Sequence, residues 1–377
     1  MVRHSLHCIV PPKLLEQLLQ HKDAAIRAAA QETLLQTAHL RGQRSILGSM
    51  YVAPPEGGLH RSIYDAEGHS RTSGKLVRDE GKKPVKDKSV NNVYDGFGAT
   101  YKLYKDVYGR DSIDGKGLRI VGVVHYAHKY DNAFWNGARM MFGDGDGKLF
   151  TGFSKSVDVI GHELTHGVTE FTCNLEYHNQ SGALNESVSD VFGSLVKQYK
   201  LNQKATEADW LIGAGILGPA IKGKALRSMQ APGTAFDGDD QPASMSGYAK
   251  LPDTDAGDYG GVHTNSGIPN HAFYLAATAL GGYAWEEAGQ VWYDALLHVS
   301  ADADFKAFAT ATREAAGQRY GTASKQQMAV ANAWDAVGVK VKSHVKHIGP
   351  KVGKGGSPLR TRLETIALEL HEAAEAI

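Results

Sequence analysis

The sequence has few cysteines, no excess charge of either sign and no long apolar run. Its 377 residues include only two cysteines, Cys8 and Cys173, which are too few for a disulfide-stabilised scaffold. Lysine plus arginine equal aspartate plus glutamate at 41 each, so we predict neither a nucleic-acid partner nor a membrane surface. No apolar run has the length of a transmembrane helix. The chain is long enough for two domains with sizeable cores.

The N-terminus also lacks the features of a conventional secretory signal. Residues 1–12 contain no continuous hydrophobic segment, and Pro11 and Pro12 interrupt the sequence early. We therefore expect secretion by a route without a conventional signal peptide, or a cytoplasmic location before release.

The sequence does contain a short metal-binding motif, His162-Glu163-Leu164-Thr165-His166. Histidines four residues apart lie on one face of a helix, about 6 Å apart along its axis, and can bind one metal ion. Apolar residues recur at helical spacing from Val157 to Val168, which favours a buried helix over a surface helix with two solvated histidines. The motif therefore predicts zinc at His162 and His166, with Glu163 beside the position of the reacting water.

A second apolar segment, twenty residues later, carries two acidic candidates. Glu186 and Asp190 are four residues apart and share one face of a predicted buried helix. A catalytic zinc site takes three protein ligands, and its histidines usually donate their other N–H to a carboxylate. We predict that Glu186 is the third ligand and that Asp190 orients a zinc-bound histidine. The alternative is that both acids cap or pair locally.

Together, these segments resemble the thermolysin-like (M4) zinc metallopeptidases. Similar segments follow the family's order from about residue 75 to residue 339, including N-A-F-W-N-G at 132–137, A-L-R-S-M at 225–229 and D-Y-G-G-V-H at 258–263. The resemblance implies an α+β, two-domain catalytic unit: a β-rich N-terminal domain (75–155) and a helical C-terminal domain (156–339). It also implies a zinc endopeptidase that cleaves protein or peptide substrates before bulky apolar residues.

The resemblance assigns catalytic roles to four residues. Glu163 would act as general base and then as general acid. His263 and Tyr177 would donate to the negatively charged tetrahedral intermediate, and Asp258 would hold the tautomer of His263.

It also implies how a substrate is held. Asn132 and Ala133 would bind the peptide as an added strand, and Arg227 would donate to a backbone carbonyl. An apolar pocket for the residue after the scissile bond would be lined by Leu226, Val159 and Ile212.

The segment before the catalytic unit resembles the short propeptide of protealysin-type members of this family. The resemblance rests on C-I-V-P-P at 8–12. We expect a propeptide at 1–50 with a helix pair over 13–40, and a processing linker at 51–74 within a less ordered stretch over 41–75. Self-processing is expected within residues 45–60. The precursor would inhibit itself through Cys8, Pro11 and Pro12 in the cleft.

The two cysteines receive separate interpretations. The Cys8 thiolate could bind zinc, or the residue could be a small buried apolar side chain of the propeptide. We interpret Cys173 as structural, because the catalytic unit has no second cysteine.

Apolar spacing predicts the remaining elements. We expect a strand at 118–126 and strand pieces at 133–142 and 150–153. We expect helices at 156–169, 184–200, 267–281, 285–299, 303–316 and 323–335.

Two regions depart from the family pattern. Asp158 and Asp209 match acids of the family's double calcium site, but Lys197, Leu211 and Ala214 stand where further acids are expected. We therefore expect no double calcium site. Asp144 and Asp146 could bind calcium or form a tight turn. Residues 340–377 extend beyond the resemblance as a basic linker and an amphipathic helical tail.

Two other classes of protein compete with this interpretation. A non-catalytic binding protein with the same fold should have lost a ligand or the base, yet all are present. A zinc aminopeptidase should carry an acidic motif for the substrate N-terminus, and none is found. We favour a monomeric endopeptidase.

Overall fold

The computed structural model describes residues 7–47 and 57–341 of the chain. The strands are β1 His7–Cys8, β2 Arg61–Asp65, β3 Lys75–Asp79, β4 Ile120–Val124, β5 Ala133–Trp135, β6 Met140–Phe142, β7 Leu211–Ile212 and β8 Arg227–Ser228. The helices are α1 Pro12–Leu18, α2 Ala24–Leu47, α3 Lys88–Lys102, α4 Val157–Glu170, α5 Asn179–Leu201, α6 Asp258–Asn265, α7 Gly267–Leu280, α8 Glu287–Leu296, α9 Phe305–Tyr320 and α10 Lys325–Ala336. None of the helices in these ranges has the length and apolarity needed to cross a bilayer.

The N-terminal half is built on a mixed six-stranded sheet with the order β1-β5-β6-β4-β2-β3. β4 pairs in parallel with both β2 and β6, whereas the other pairings are antiparallel. The strand β1 comes from the N-terminal segment and pairs Cys8 with Phe134 of β5. The edge of the catalytic sheet is therefore covered by the chain's own N-terminus.

A buried helix, α3, supports this sheet and was not predicted from the sequence. Its N-terminus is capped by the Asp87 side chain, which accepts from the backbone N–H groups of Ser89 and Val90. Its apolar face, which includes Val93 and Phe97, is buried. The helix contacts β2, β4 and α4, so it joins the sheet to the helical half.

The two central helices, α4 and α5, lie unusually close together. A Cβ atom on Gly193 of α5 would lie 2.5 Å from the backbone oxygen of Asp158 in α4. Only glycine allows this approach without a shift of the backbone. The close contact brings side chains of both helices to one point between them.

The helices α7 to α10 complete the C-terminal half and form an apolar core that includes a stacked pair, Trp292 and Trp334. Each of the six predicted helices is present, although α5 begins at Asn179 rather than 184. The α+β fold class is confirmed, as are strands within 118–126 and 133–142.

Two local predictions were wrong. Residues 150–153 form no strand: Phe150 makes one isolated bridge to Leu217, and a short 3₁₀ helix occupies Phe153–Lys155. Within the stretch 41–75, the described residues 41–47 and 57–75 are more ordered than expected, because α2 continues to Leu47 and Arg61–Asp65 forms β2. Of the predicted linker and tail at 340–377, residues 342–377 lie outside the described residues.

Candidate active site and metal centre

Three side chains from α4 and α5 meet between the two helices. The Nε2 atoms of His162 and His166 lie 3.0 Å apart, and each lies 3.5 Å from a carboxylate oxygen of Glu186. All three residues are fully buried. Their candidate ligand atoms lie within 4.8 Å of one another.

The hydrogen-bond partners of the two histidines indicate that the three residues fit a cation. His162 Nδ1 lies 2.8 Å from Asp190, and His166 Nδ1 lies 2.8 Å from the amide oxygen of Asn185. With both Nδ1–H groups donating outward, the facing Nε2 atoms carry lone pairs. In the described part of the chain, Glu186 Oε2 is buried without a hydrogen-bond partner. Two nitrogen lone pairs and one carboxylate are a donor set suited to zinc.

Asp190 is held by several donors besides His162. Arg227 makes a bidentate contact with it, at 2.7 and 2.8 Å, and Asn270 donates at 2.9 Å. Burial alone would raise the pKa of Asp190, but the Arg227 guanidinium and His162 hold it well below its usual range. The carboxylate is therefore ionised and fixed in orientation.

Glu163 lies beside the cluster in a different environment. One carboxylate oxygen accepts from the backbone N–H of Trp135 at 3.0 Å, while Oε1 is buried and finds no partner among the described residues. Burial, and then the nearby charge of Glu186, raise the pKa of Glu163 well above its ordinary value. A raised pKa suits a group that accepts and then returns a proton.

His263 faces the same space from an unusual turn. The backbone of Asp258, Tyr259, Gly260 and Gly261 has positive φ angles, and a Cβ on Gly260 would lie 2.2 Å from the Asn179 side chain. This turn lets Asp258 accept from both the ring Nδ1, at 2.6 Å, and the backbone N–H of His263, at 2.8 Å.

The neighbouring carboxylates favour the protonated ring of His263, which makes it a hydrogen-bond donor. Burial lowers the pKa of His263, but the carboxylates of Asp258 and Glu186 outweigh it and raise that pKa to about 9. The hydroxyl of Tyr177 donates to Glu186 and lies 3.3 Å from His263 Nε2. The structure thus places Tyr177 and His263 side by side.

The predicted substrate-binding residues lie on β5, on β8 and in the apolar core. Asn132 and Ala133 lie at the start of β5, and Arg227 begins β8. Leu226, Val159 and Ile212 are buried in one continuous apolar cluster. The contacts given above bring the three candidate ligands together with Tyr177, Asp190, Arg227, Asp258 and His263.

The N-terminal segment lies on these residues. His263 Nε2 lies 2.9 Å from the Cys8 carbonyl, and Arg227 donates to the Ile9 carbonyl at 3.0 Å. Pro11 precedes α1, and Pro12 is its first residue. The Cys8 side chain belongs to an apolar cluster with Tyr130 and Phe134, which favours the apolar interpretation over zinc binding. Among the described residues, the ligand cluster at this point comprises only the two histidines and Glu186.

Lys197 lies between the two aspartates for which the resemblance implied calcium binding, Asp158 and Asp209. Its ammonium lies 2.9 Å from the buried Asp158 carboxylate and 2.8 Å from Asp209, and it donates to the Leu211 carbonyl at 2.7 Å. The pKa of Lys197, which burial would lower, is raised by these carboxylates. In the turn at 143–147, Asp144 contacts His125 and Asp146 accepts from two backbone amides, as expected for a tight turn.

Sequence reasoning missed Asn185, Asn270 and the backbone N–H of Trp135. Asn270 had a usable signal, since it lies in a largely apolar stretch of α7 between Ile268 and Phe273, where His271 is the other polar residue. A buried amide in such a place needs a partner. The Trp135 contact had no signal, because a backbone donor leaves no mark on residue type.

A cation site beside a buried glutamate, with a peptide strand laid across both, is the arrangement of a zinc-dependent metallopeptidase. Comparison with known proteins identifies the metallopeptidase family. A family model described as the thermolysin metallopeptidase catalytic domain matches residues 47–170, and one described as its alpha-helical domain matches residues 173–339. The chain belongs to the thermolysin metallopeptidase family and is a hydrolase that acts on peptide bonds.

Relatives include proteins of similar length. An extracellular metalloprotease of Pectobacterium carotovorum is 46% identical over 341 residues, which cover 89% of this chain and 96% of the relative. Protease PrtS of a Photorhabdus strain is 48% identical, with coverages of 76% and 78%. The solved precursor of protealysin, a metalloproteinase from Serratia proteamaculans, is 48% identical with a TM-score of 0.80, covering 88% of this chain and 99% of that one.

Proposed function

We propose that the protein is a zinc endopeptidase that cleaves before bulky apolar residues and is made as a self-inhibited, autoprocessed precursor. The observation that carries this proposal is the pair of facing imidazole nitrogens beside Glu186, with the protonatable Glu163 next to them. One zinc ion bound by His162, His166 and Glu186 would supply Lewis-acid polarisation of the water and of the scissile carbonyl.

The chain's own residues perform the proton transfers. Glu163 takes a proton from the attacking water and returns it to the leaving nitrogen. His263, held by Asp258, and Tyr177 donate to the oxygen that becomes negatively charged. Asp190 fixes the ring of His162 and orients Arg227 at the same time.

Substrate binding follows from the contacts of the N-terminal segment. A peptide would pair with β5 through Ala133 and Asn132, and Arg227 would hold the carbonyl that follows the scissile bond. The apolar residues Val159, Ile212 and Leu226 favour a bulky apolar side chain at that position, because burying one in such a pocket is worth about 1.5–3 kcal/mol.

Self-inhibition is supported by the burial of the segment that covers the cleft. Cys8, Ile9 and Val10 are at most 2% exposed, so a substrate cannot reach the site until residues 7–12 leave. We propose a propeptide at 1–50, a processing linker at 51–74, a β-rich domain at 75–155 and a helical domain at 156–339, with cleavage in the region of 45–60.

Three further properties belong to the proposal. The Lys197 ammonium pairs with Asp158 and Asp209, which supports an enzyme without a double calcium site. The enzyme would act as a monomer. The relative named as an extracellular metalloprotease supports secretion, which would follow a route without a conventional signal peptide.

The proposal is tested with the purified chain and a matched variant. Glu163→Ala should retain zinc and the fold but lose casein cleavage and self-processing by several orders of magnitude. Glu176→Ala, which alters an exposed glutamate near the site, should behave like wild type. A chelator should abolish wild-type activity, and added zinc should restore it. Retained activity in Glu163→Ala would exclude this mechanism.

A further inference from the structure

The carbonyl groups of the N-terminal segment are bound in the order in which a substrate's would be. The Cys8 carbonyl receives the His263 ring N–H at 2.9 Å, and the Ile9 carbonyl receives Arg227 at 3.0 Å. His263 is the donor expected to face the reacting carbonyl, and Arg227 the donor expected to face the next one. The Cys8 carbonyl therefore lies at the reacting position.

The amide groups agree with the same register. The Ile9 N–H donates to the Ala133 carbonyl at 3.2 Å, and the Val10 N–H donates to the Asn132 side chain at 3.1 Å. Trp135, on the same strand as Ala133, donates its backbone N–H to Glu163 at 3.0 Å, which places Glu163 beside this part of β5. A nitrogen that leaves a peptide bond must lie beside the group that protonates it.

The side chains fit this register as well. Ile9 is fully buried and belongs to the apolar cluster that contains Val159, Ile212 and Leu226, whereas Cys8 belongs to a second cluster with Phe134. A shift of one residue along a strand would exchange these two environments. The backbone contacts specify the bond that faces Glu163, namely Cys8–Ile9, and the separation of the Cys8 and Ile9 side chains is consistent with it.

We propose that the Cys8–Ile9 bond is itself a substrate of the active site, so that the precursor cuts its own N-terminus before Ile9. This cut is separate from the processing expected within residues 45–60, and it rests on the proposed peptidase function. The inhibitory segment is thus a substrate bound in the productive direction rather than a reversed peptide.

The reaction is a simple hydrolysis. Water adds to the Cys8 carbonyl carbon, its proton passes through Glu163 to the Ile9 nitrogen, and the C–N bond breaks. The products are a carboxylate on Cys8 and an amine on Ile9, with no oxidant or reductant required.

The cut would not open the cleft. Residues beyond Ile9 stay attached through contacts of the following helices, including the ion pair between Lys13 and Asp240 and the Thr33 hydroxyl that accepts from the Asp131 N–H. A product end that is held in place re-enters its site at a high effective concentration. The shortened precursor should therefore remain inhibited.

The experiment uses the full precursor loaded with zinc. Intact mass and N-terminal sequencing over time should show a species that begins at Ile9 and still contains the linker and catalytic unit. The species should be absent with a chelator and in Glu163→Ala. Cys8→Ala should give the same cut before Ile9, which separates peptide hydrolysis from thiol chemistry. Casein cleavage and linker processing are followed in the same samples.

Variants at one position supply a readout that does not depend on activity. In the Glu163→Ala background, Ile9→Asp should lower the melting temperature of the precursor by several degrees, because it buries a charge in an apolar pocket, whereas Ile9→Leu should change it little. In the active background, Ile9→Leu should still be cut and Ile9→Asp should be cut at least tenfold more slowly.

The outcomes separate the two hypotheses. Casein cleavage together with an intact Cys8–Ile9 bond, or a first cut at another bond of residues 1–16, would overturn this proposal and leave the peptidase function standing. No cleavage of casein, linker or N-terminus would overturn both. Equal melting temperatures for Ile9→Asp and Ile9→Leu would show that Ile9 does not occupy the pocket.

Discussion

Asp131 offers a sharp test of how the N-terminal helices are held on the catalytic unit. The residue is fully buried beneath α2: its backbone N–H donates to Thr33, and the neighbouring Tyr130 hydroxyl bonds Thr37. Its Oδ1 accepts from the Asp146 N–H at 2.9 Å. Its Oδ2 has no hydrogen-bond partner among the described residues. The perturbation is Asp131→Asn, which keeps the shape and removes the charge.

The sign and size of the pH effect on stability follow from the numbers of protons bound by the folded and the unfolded chain. Burial, opposed by the backbone amide of Asp146 and aided by that residue's charge, raises the pKa of Asp131 from 3.8 to about 7. Between these values the folded precursor binds more protons than the unfolded chain, so stability falls as pH rises through this window. Between about pH 5 and pH 7.5, the wild-type precursor should lose about 2–3 kcal/mol through this group.

The assay compares urea midpoints of two full-length precursors in the inactive Glu163→Ala background, one that retains Asp131 and one that carries the Asp131→Asn substitution. Titrating groups that do not interact with Asp131 are common to both proteins and cancel, whereas the charge of Asp146 acts on Asp131 and belongs to the measured difference. The asparagine variant should gain relative stability steadily as pH rises to about 7. Asp302→Asn, at an exposed position, is the control. A pH-independent difference would show that Asp131 is solvated and that the argument is wrong.

Three further variants test other parts of the site. Asp190→Asn should lower zinc affinity about 10–100-fold in a chelator competition, because it releases the ring of His162; unchanged affinity would remove Asp190 from the zinc site. Lys197→Met should cost about 3–5 kcal/mol in thermal or urea unfolding, because it leaves Asp158 buried without its partner. Calcium should recover part of that loss and should leave the stability of wild type nearly unchanged. A large calcium-dependent gain in wild-type stability would contradict the role of Lys197 as the compensating charge. Tyr177→Phe should lower kcat about 100-fold with little change in KM, since its hydroxyl acts on the developing charge; a change confined to KM would contradict that role.

The zinc helix and its ligands were predictable because their signals are local. His162 and His166 are four residues apart on one helix, and Glu186 and Asp190 repeat that spacing on the next. The apolar residues around them fixed both the helical period and the burial. The close approach of Gly161 and Gly193, which brings the two helices together, left no comparable mark on a single sequence.

The elements that were missed depend on partners far away in the chain. Arg61–Asp65 looks like a polar linker, with only Ser62 and Ile63 buried, and it becomes a strand by pairing in parallel with β4. Likewise, β1 pairs with residues more than 120 positions away. Strand pairing across such separations is specified by packing and register rather than by local propensity.

The position of Lys197 links the stability of the zinc helix to a charge that the protein itself supplies. Asp158 is fully buried in the first turn of α4, and an uncompensated charge there would be costly. A calcium ion could compensate it only where calcium is abundant, and the stability gained would then depend on its concentration. An ammonium on α5, bridging Asp158 and Asp209, provides a compensating positive charge at a fixed and very high effective concentration. It also ties α5 to α4 directly, so the ion pair stabilises the helix contact that brings Glu186 to the two histidines.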